Sequence, residues 1–99
     1  MEVIPTPLKL IEKAKHLEKV VSLPQAAIMN IQLKAGEEVA EHHSERDVII
    51  VARKGIVRFE VEGNEVFVSP ENLLHMAPFE KHSLRAIEDA DILVIQVEP

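Results

Sequence analysis

Two adjacent histidines, His42 and His43, stand in the stretch GEEVAEHHSERDVIIVARKG at residues 36–55, with Glu41, Glu45 and Asp47 close by. Imidazole nitrogen suits late first-row divalent metals, and two imidazoles with one carboxylate can hold such a metal while leaving positions open. His16, His75 and His82 complete a set of five histidines, and the chain has no cysteine. Disulfides, thiolate metal sites and a cysteine nucleophile are therefore excluded. Any metal would be held by His, Asp, Glu or backbone oxygen. On a regular strand successive side chains point to opposite faces, so His42 and His43 cannot share one site unless the backbone bulges. The same alternation sets Asp47 on the face opposite Val48. Without a shift of register, Glu45, Arg46 and Asp47 form a solvated turn, with Arg46 in a surface ion pair or at the rim of an anion site. Ser44 has no base at any triad spacing and is not a nucleophile.

These residues need elements to position them, and the elements are mostly strands. Thr6 is a candidate N-cap with Pro7 at the first helical position, and PLKLIEKAK predicts a short helix over residues 7–15. A strand is expected at 18–23, ended by Pro24, and AIMNIQL alternates as the next strand, followed by a turn at Lys34-Ala35-Gly36. VIIVAR at 48–53 is a β-branched run expected to be buried on both faces. IVRFEVEGNEVFV reads as a hairpin, with Val57, Phe59 and Val61 on one face and Gly63-Asn64 at the turn. NLLHMA at 72–77, SLRAI at 83–87 and DILVIQV at 91–97 supply the remaining strands, the last two joined through an acidic turn, Glu88 to Asp91. Seven or eight short, evenly spaced strands predict an all-β sandwich or barrel in one domain over residues 1–99.

Composition narrows the partners. The formal net charge is −6 and the basic residues are dispersed, which argues against nucleic acid, since phosphate binding needs Lys and Arg gathered on one face. The densest basic group, Lys9, Lys13, Lys15 and Lys19, is an ordinary solvated face. No apolar run reaches the ~20 residues of a membrane span. MEVIPTP lacks the charged-then-apolar layout of a signal peptide, so the cytoplasm is the expected compartment. The three aromatics are all Phe, too few for stacking on bases or sugars.

The spacing of Gly36, His42, Ser44 and Gly55 resembles the first motif of the cupins: G, five residues, H-x-H, three or four residues, E, six residues, G. Both glycines and the first histidine are in register. Ser44 stands at the second histidine position and Val48 at the glutamate position, next to Asp47. The second cupin motif (G, five residues, P-x-G, two residues, H, three residues, N) falls on Glu71 to Ala86. There Ala77 takes the proline position, Phe79 the second glycine and Ala86 the asparagine, and His82 matches. The resemblance spans about residues 17–97.

The resemblance implies a small antiparallel β-barrel of the double-stranded β-helix, or jelly-roll, type, with the short helix before it. It implies a cavity in which metal-binding cupins hold one divalent transition metal (Fe, Mn, Ni, Zn or Cu) through three histidines and a glutamate. Carried over residue by residue, His42 and His82 take ligand positions. His75 is a substitute for the position lost at Ser44, or else a satisfied core or interface histidine. Asp47 is the carboxylate nearest the glutamate position. His43 is expected to look outward and His16 to lie on the surface. Phe59, Phe67, Met29 and Met76 are core or pocket lining, with Phe79 at the barrel mouth. The implied function is metal or small-molecule binding in the cavity. The alternatives are a metal-free, non-catalytic binding or dimeric interaction protein, and a metal-dependent dioxygenase or isomerase of a small oxygenated substrate. Apolar residues on both faces of VIIVAR and DILVIQV leave a surplus that a second subunit would cover, so a homodimer is expected.

Overall fold

Period-2 alternation in nine short segments produces two facing antiparallel sheets. A computed structural model describes residues 1–99. The strands are β1 (Lys15–Ser22), β2 (Ala26–Leu33), β3 (Glu38–His42), β4 (Asp47–Lys54), β5 (Val57–Val61), β6 (Asn64–Val68), β7 (Leu73–Met76), β8 (His82–Ala86) and β9 (Ala90–Val97). One sheet has the order β1-β2-β9-β4-β7 and the other β3-β8-β5-β6. Register places Ile31 beside Ile92, Ile50 beside Val94 and Val48 beside Met76 on the inner face of the first sheet. Phe59 beside Leu84 and Val57 beside Ala86 face them from the second. These residues belong to one cluster of 14 buried apolar side chains, which forms the core.

The expected helix over residues 7–15 does not form. Only a single turn exists, with the Glu12 and Lys13 amides both donating to the Lys9 carbonyl. A helix of fewer than about 12 residues is marginal without tertiary support, and here tertiary contacts oppose it. The Gln32 side chain donates to the Pro7 carbonyl at 2.9 Å and accepts the Lys9 amide at 2.7 Å, holding the segment as an arm. Ile11 is fully exposed, while its neighbour Leu10 is buried. Released from the helix, Lys15 begins β1, three residues before the expected strand start. His16 then pairs across β2 with Gln32, on the face where the arm docks. Its ring is largely covered and lies 3.1 Å from Glu18, so it is not a free surface histidine.

Two further expectations shift. The hairpin turn consists of Glu62 and Gly63, at φ 48° and 82°, one residue earlier than Gly63-Asn64. Positive φ at both positions is the type I′ geometry that matches strand twist. Phe67 points outward from edge strand β6 and is half exposed, whereas Phe59 and Met76 are core.

The arm is fastened through a buried polar network that the strand pattern conceals. Asn30 and Gln32 are 1% and 0% exposed, although they alternate with the core positions of β2. Asn30 donates to Asp91 at 2.7 Å, and Gln32 donates to Asn30 at 2.9 Å. Asp91 also pairs with Arg53 at 2.8 Å, and Arg53 reaches on to the hydroxyl and carbonyl of Thr6. No solvent-inaccessible side-chain polar atom of this network is left without a partner, the condition under which such a network stabilises rather than costs. Replacing Asp91 with Ala strips Asn30 of one of its two acceptors, leaving the Ile92 carbonyl, and leaves Arg53 with Thr6 but no carboxylate. The expected loss is about 2–3 kcal/mol, read from the urea midpoint. A variant within about 0.5 kcal/mol of the parent, the range of a neutral surface change, would contradict the network's role.

Candidate functional site

The barrel is closed at one end and hollow at the other. At the closed end, Gly55 sits at φ 81°, and a Cβ there would collide with the Asp89 carbonyl oxygen and lie 2.9 Å from Ala90 Cα. At the hollow end the inner faces enclose a cavity of about 460 Å³. Ten of its sixteen lining residues are hydrophobic, Met29, Ile31, Val48, Ile50, Phe59 and Leu84 among them, so the wall is apolar. The polar lining is Glu41, His42, His43, Ser44, His82 and Gln96, four of them consecutive at the end of β3.

A β-bulge sets this rim. Val39 pairs with Leu84 and His42 pairs with His82, so three steps along β3 match two along β8. The extra residue breaks alternation, the usual effect of a bulge. His42 and His43 therefore both line the cavity, contrary to the outward orientation expected for His43. His43 also lies against Phe79, with ring centroids 6.1 Å apart.

His42 and His82 face each other edge to face, with ring centroids 4.1 Å apart. His42 is exposed at the mouth, and His82 is 5% exposed at the base of β8. Each ring is oriented in the same way: Nδ1 of His42 lies 2.8 Å from the Ala40 carbonyl, and Nδ1 of His82 lies 3.0 Å from the Glu80 carbonyl. A carbonyl only accepts, so each Nδ1 carries the proton and donates it. In the neutral ring Nε2 is then an acceptor, and neither Nε2 has a protein partner. Anchoring of one ring nitrogen to a backbone carbonyl is how metal-ligating histidines are commonly held. Burial pushes the His82 pKa below its ordinary value, opposed by the hydrogen bond to Glu80 and reinforced by His42.

The other candidate ligands lie elsewhere. His75 and Asp47 bond each other at 2.8 Å, with His75 beside Ile49 in the β4–β7 register, on the face opposite Val48 and the cavity. Val48 fills the glutamate position with a buried apolar side chain that lines the cavity. Glu41 reaches the rim, but no three His, Asp or Glu side chains gather as a metal-binding cluster. Arg46 pairs with Glu98 at 2.9 Å. The Ser44 hydroxyl accepts the Arg46 amide within its own turn.

Phe79 ties the two rim loops together. Its amide donates to the Ser44 carbonyl at 2.7 Å. Its φ is 69°, a left-handed conformation that suits the glycine it stands in for and strains a bulky residue. Relief of about 1–2 kcal/mol of strain in Phe79→Gly is partly offset by the entropy of a new glycine. The expected net gain is about 0.5–1 kcal/mol, visible as a higher melting temperature, and a lower one would contradict the strain.

Acid sensitivity follows from His82. Its folded pKa lies below the ordinary 6.5, so between the two values the unfolded chain binds more protons. Stability is therefore fully present above about pH 6.5 and falls as the pH drops through the window below it. The urea midpoint of the parent is expected to fall between about pH 8 and pH 5.5 more steeply than that of His82→Gln. Equal slopes would contradict the shift.

No family model matches the sequence, and no curated protein matches it. Solved structures do resemble it. An RmlC-like cupin with a double-stranded β-helix fold from Methanocaldococcus jannaschii superposes with a TM-score of 0.85 at 22% identity, covering 99% of this chain and 91% of that one. An RmlC-like cupin from Desulfovibrio desulfuricans gives 0.83 at 21% identity, covering 98% and 94%. A conserved Streptococcus pyogenes protein of unknown function gives 0.81 at 20% identity, covering 100% and 96%. With two antiparallel sheets, no helix and superpositions of this closeness on RmlC-like cupins, the chain has the cupin fold.

Proposed function

We propose that this protein binds a small molecule, a late divalent metal, or the two together in the barrel cavity, at Nε2 of His42 and His82. The observation that carries the reading is the pair of partnerless Nε2 atoms, both rings anchored through Nδ1, in an otherwise apolar cavity of about 460 Å³. That volume falls within the range of small-ligand sites.

The donor set decides which metals fit. The paired rings supply two imidazoles, half of the three-histidine, one-glutamate set; His43 and Glu41 also line the cavity but do not gather with them as a cluster, so the remaining positions would fall to water or to the ligand. Nitrogen donors without carboxylate favour Zn, Cu or Ni over Mn and Fe. Binding without metal is the second reading, favoured by Val48 and Ser44 at two ligand positions.

Elemental analysis of untagged protein after loading separates the readings. The metal reading predicts stoichiometric Zn or Cu in the parent and loss in the His42→Ala, His82→Ala double variant. Metal that survives the double substitution would overturn the site. A parent that takes up none leaves binding of the small molecule alone as the function.

The outer face of the five-stranded sheet supports a homodimer. Val21, Ile28, Ile95 and Ile49 are successive cross-strand neighbours, all half-buried in the single chain. A second copy laid on this row would remove it from water. Sedimentation is expected to show a dimer that Ile49→Lys with Ile95→Glu converts to monomer. A parent that sediments as a monomer at high concentration would contradict it.

A further inference from the structure

The chemistry of the cavity says which small molecules it should prefer, and this inference rests on the binding function just proposed. The two imidazoles sit in edge-to-face contact at the hollow end. Both Nδ1 protons are spent on the Ala40 and Glu80 carbonyls. A neutral ring anchored in this way offers the cavity an unshared pair and no proton. Most of the remaining wall, from Met29 and Ile31 through Phe59 to Val94, is apolar, and its other polar groups are Gln96 and the rim residues Glu41, His43 and Ser44. A ligand's carboxylate placed against these two rings would meet lone pairs, not donors, and would give up hydration there without compensation. An aliphatic or aromatic hydrocarbon would fill the wall but leave both nitrogens unpaired.

We propose that the cavity takes a neutral, mainly apolar molecule bearing one hydroxyl donor, a phenol or a comparable alcohol, with its O–H directed to Nε2 of His42 or His82 and its body against the apolar wall. A single O–H satisfies one nitrogen directly, and the half-open mouth beside exposed His42 lets water satisfy the other. A metal would compete for the same unshared pairs, so metal and hydroxyl ligand exclude each other unless the hydroxyl ionises onto the metal.

Three matched probes test this: para-propylphenol, propylbenzene and para-propylbenzoate, titrated by calorimetry or ligand-observed NMR into chelator-treated full-length protein at about pH 8, where imidazole is neutral. The phenol is expected to bind about tenfold more tightly than the hydrocarbon or the benzoate, the worth of one hydrogen bond that is not left unmade. His42→Ala, at an exposed position that folding tolerates, narrows the phenol's advantage, and His42→Ala with His82→Ala removes it. Equal binding of phenol and hydrocarbon would overturn the proposal, as would tighter binding of the benzoate. If the phenol shows no preference but Zn²⁺ is taken up by the parent and lost in the double variant, the donor rule fails while the binding site stands. If no probe binds and no metal is taken up, both fail together.

Discussion

Antiparallel pairing of β3 with β8 is the constraint on which the site depends. It sets His42 opposite His82 at the hollow end of the barrel and brings their rings to 4.1 Å. The bulge between Val39 and His42 turns the end of β3 so that a run of rim residues, rather than every second one, meets the cavity. Backbone carbonyls two residues upstream then lock both imidazoles by Nδ1. Secondary structure thus determines the protonation pattern of the site: strand register places the rings, and main-chain acceptors choose the tautomer.

The opposite face of the large sheet answers a different physical demand. Asn30, Gln32 and Asp91 lie where the alternation of β2 and β9 calls for solvent, yet they are buried beneath the arm. Amides and a carboxylate taken out of water must be paired, and the arm supplies Pro7, Lys9 and Thr6 backbone or side-chain partners for the network they form with Arg53. The arm is therefore held by polar satisfaction more than by helix propensity, which is why a sequence that reads as a short amphipathic helix lies down as a strap.

Much of the barrel was legible because its strands alternate cleanly: the 57–68 hairpin, the β-branched run of β4 and the final strand are all present. β3 carries no alternation signal in the sequence, because only Val39 of its five residues is even partly buried. Helix propensity over residues 7–15 carries no information about Gln32, which lies far along the chain and holds the segment as an arm. In the site, motif spacing brought His42 and His82 together across forty residues, a juxtaposition that composition alone cannot reveal. His43 was misplaced because a bulge has no signature in EVAEH. His75 and Asp47 satisfy each other on the outer face, and a pattern of residue types carries no information about which acid meets which base.

The central claim is that both cavity histidines are neutral Nδ1–H tautomers with Nε2 free. A long-range ¹H–¹⁵N correlation spectrum of the imidazole rings at about pH 8, where imidazole is neutral, tests it directly. The account predicts that His42 and His82 each show a protonated Nδ1 and an unprotonated, acceptor-type Nε2. An Nε2–H tautomer at either ring would contradict it, because the cavity would then present a donor where the bound group must find a lone pair.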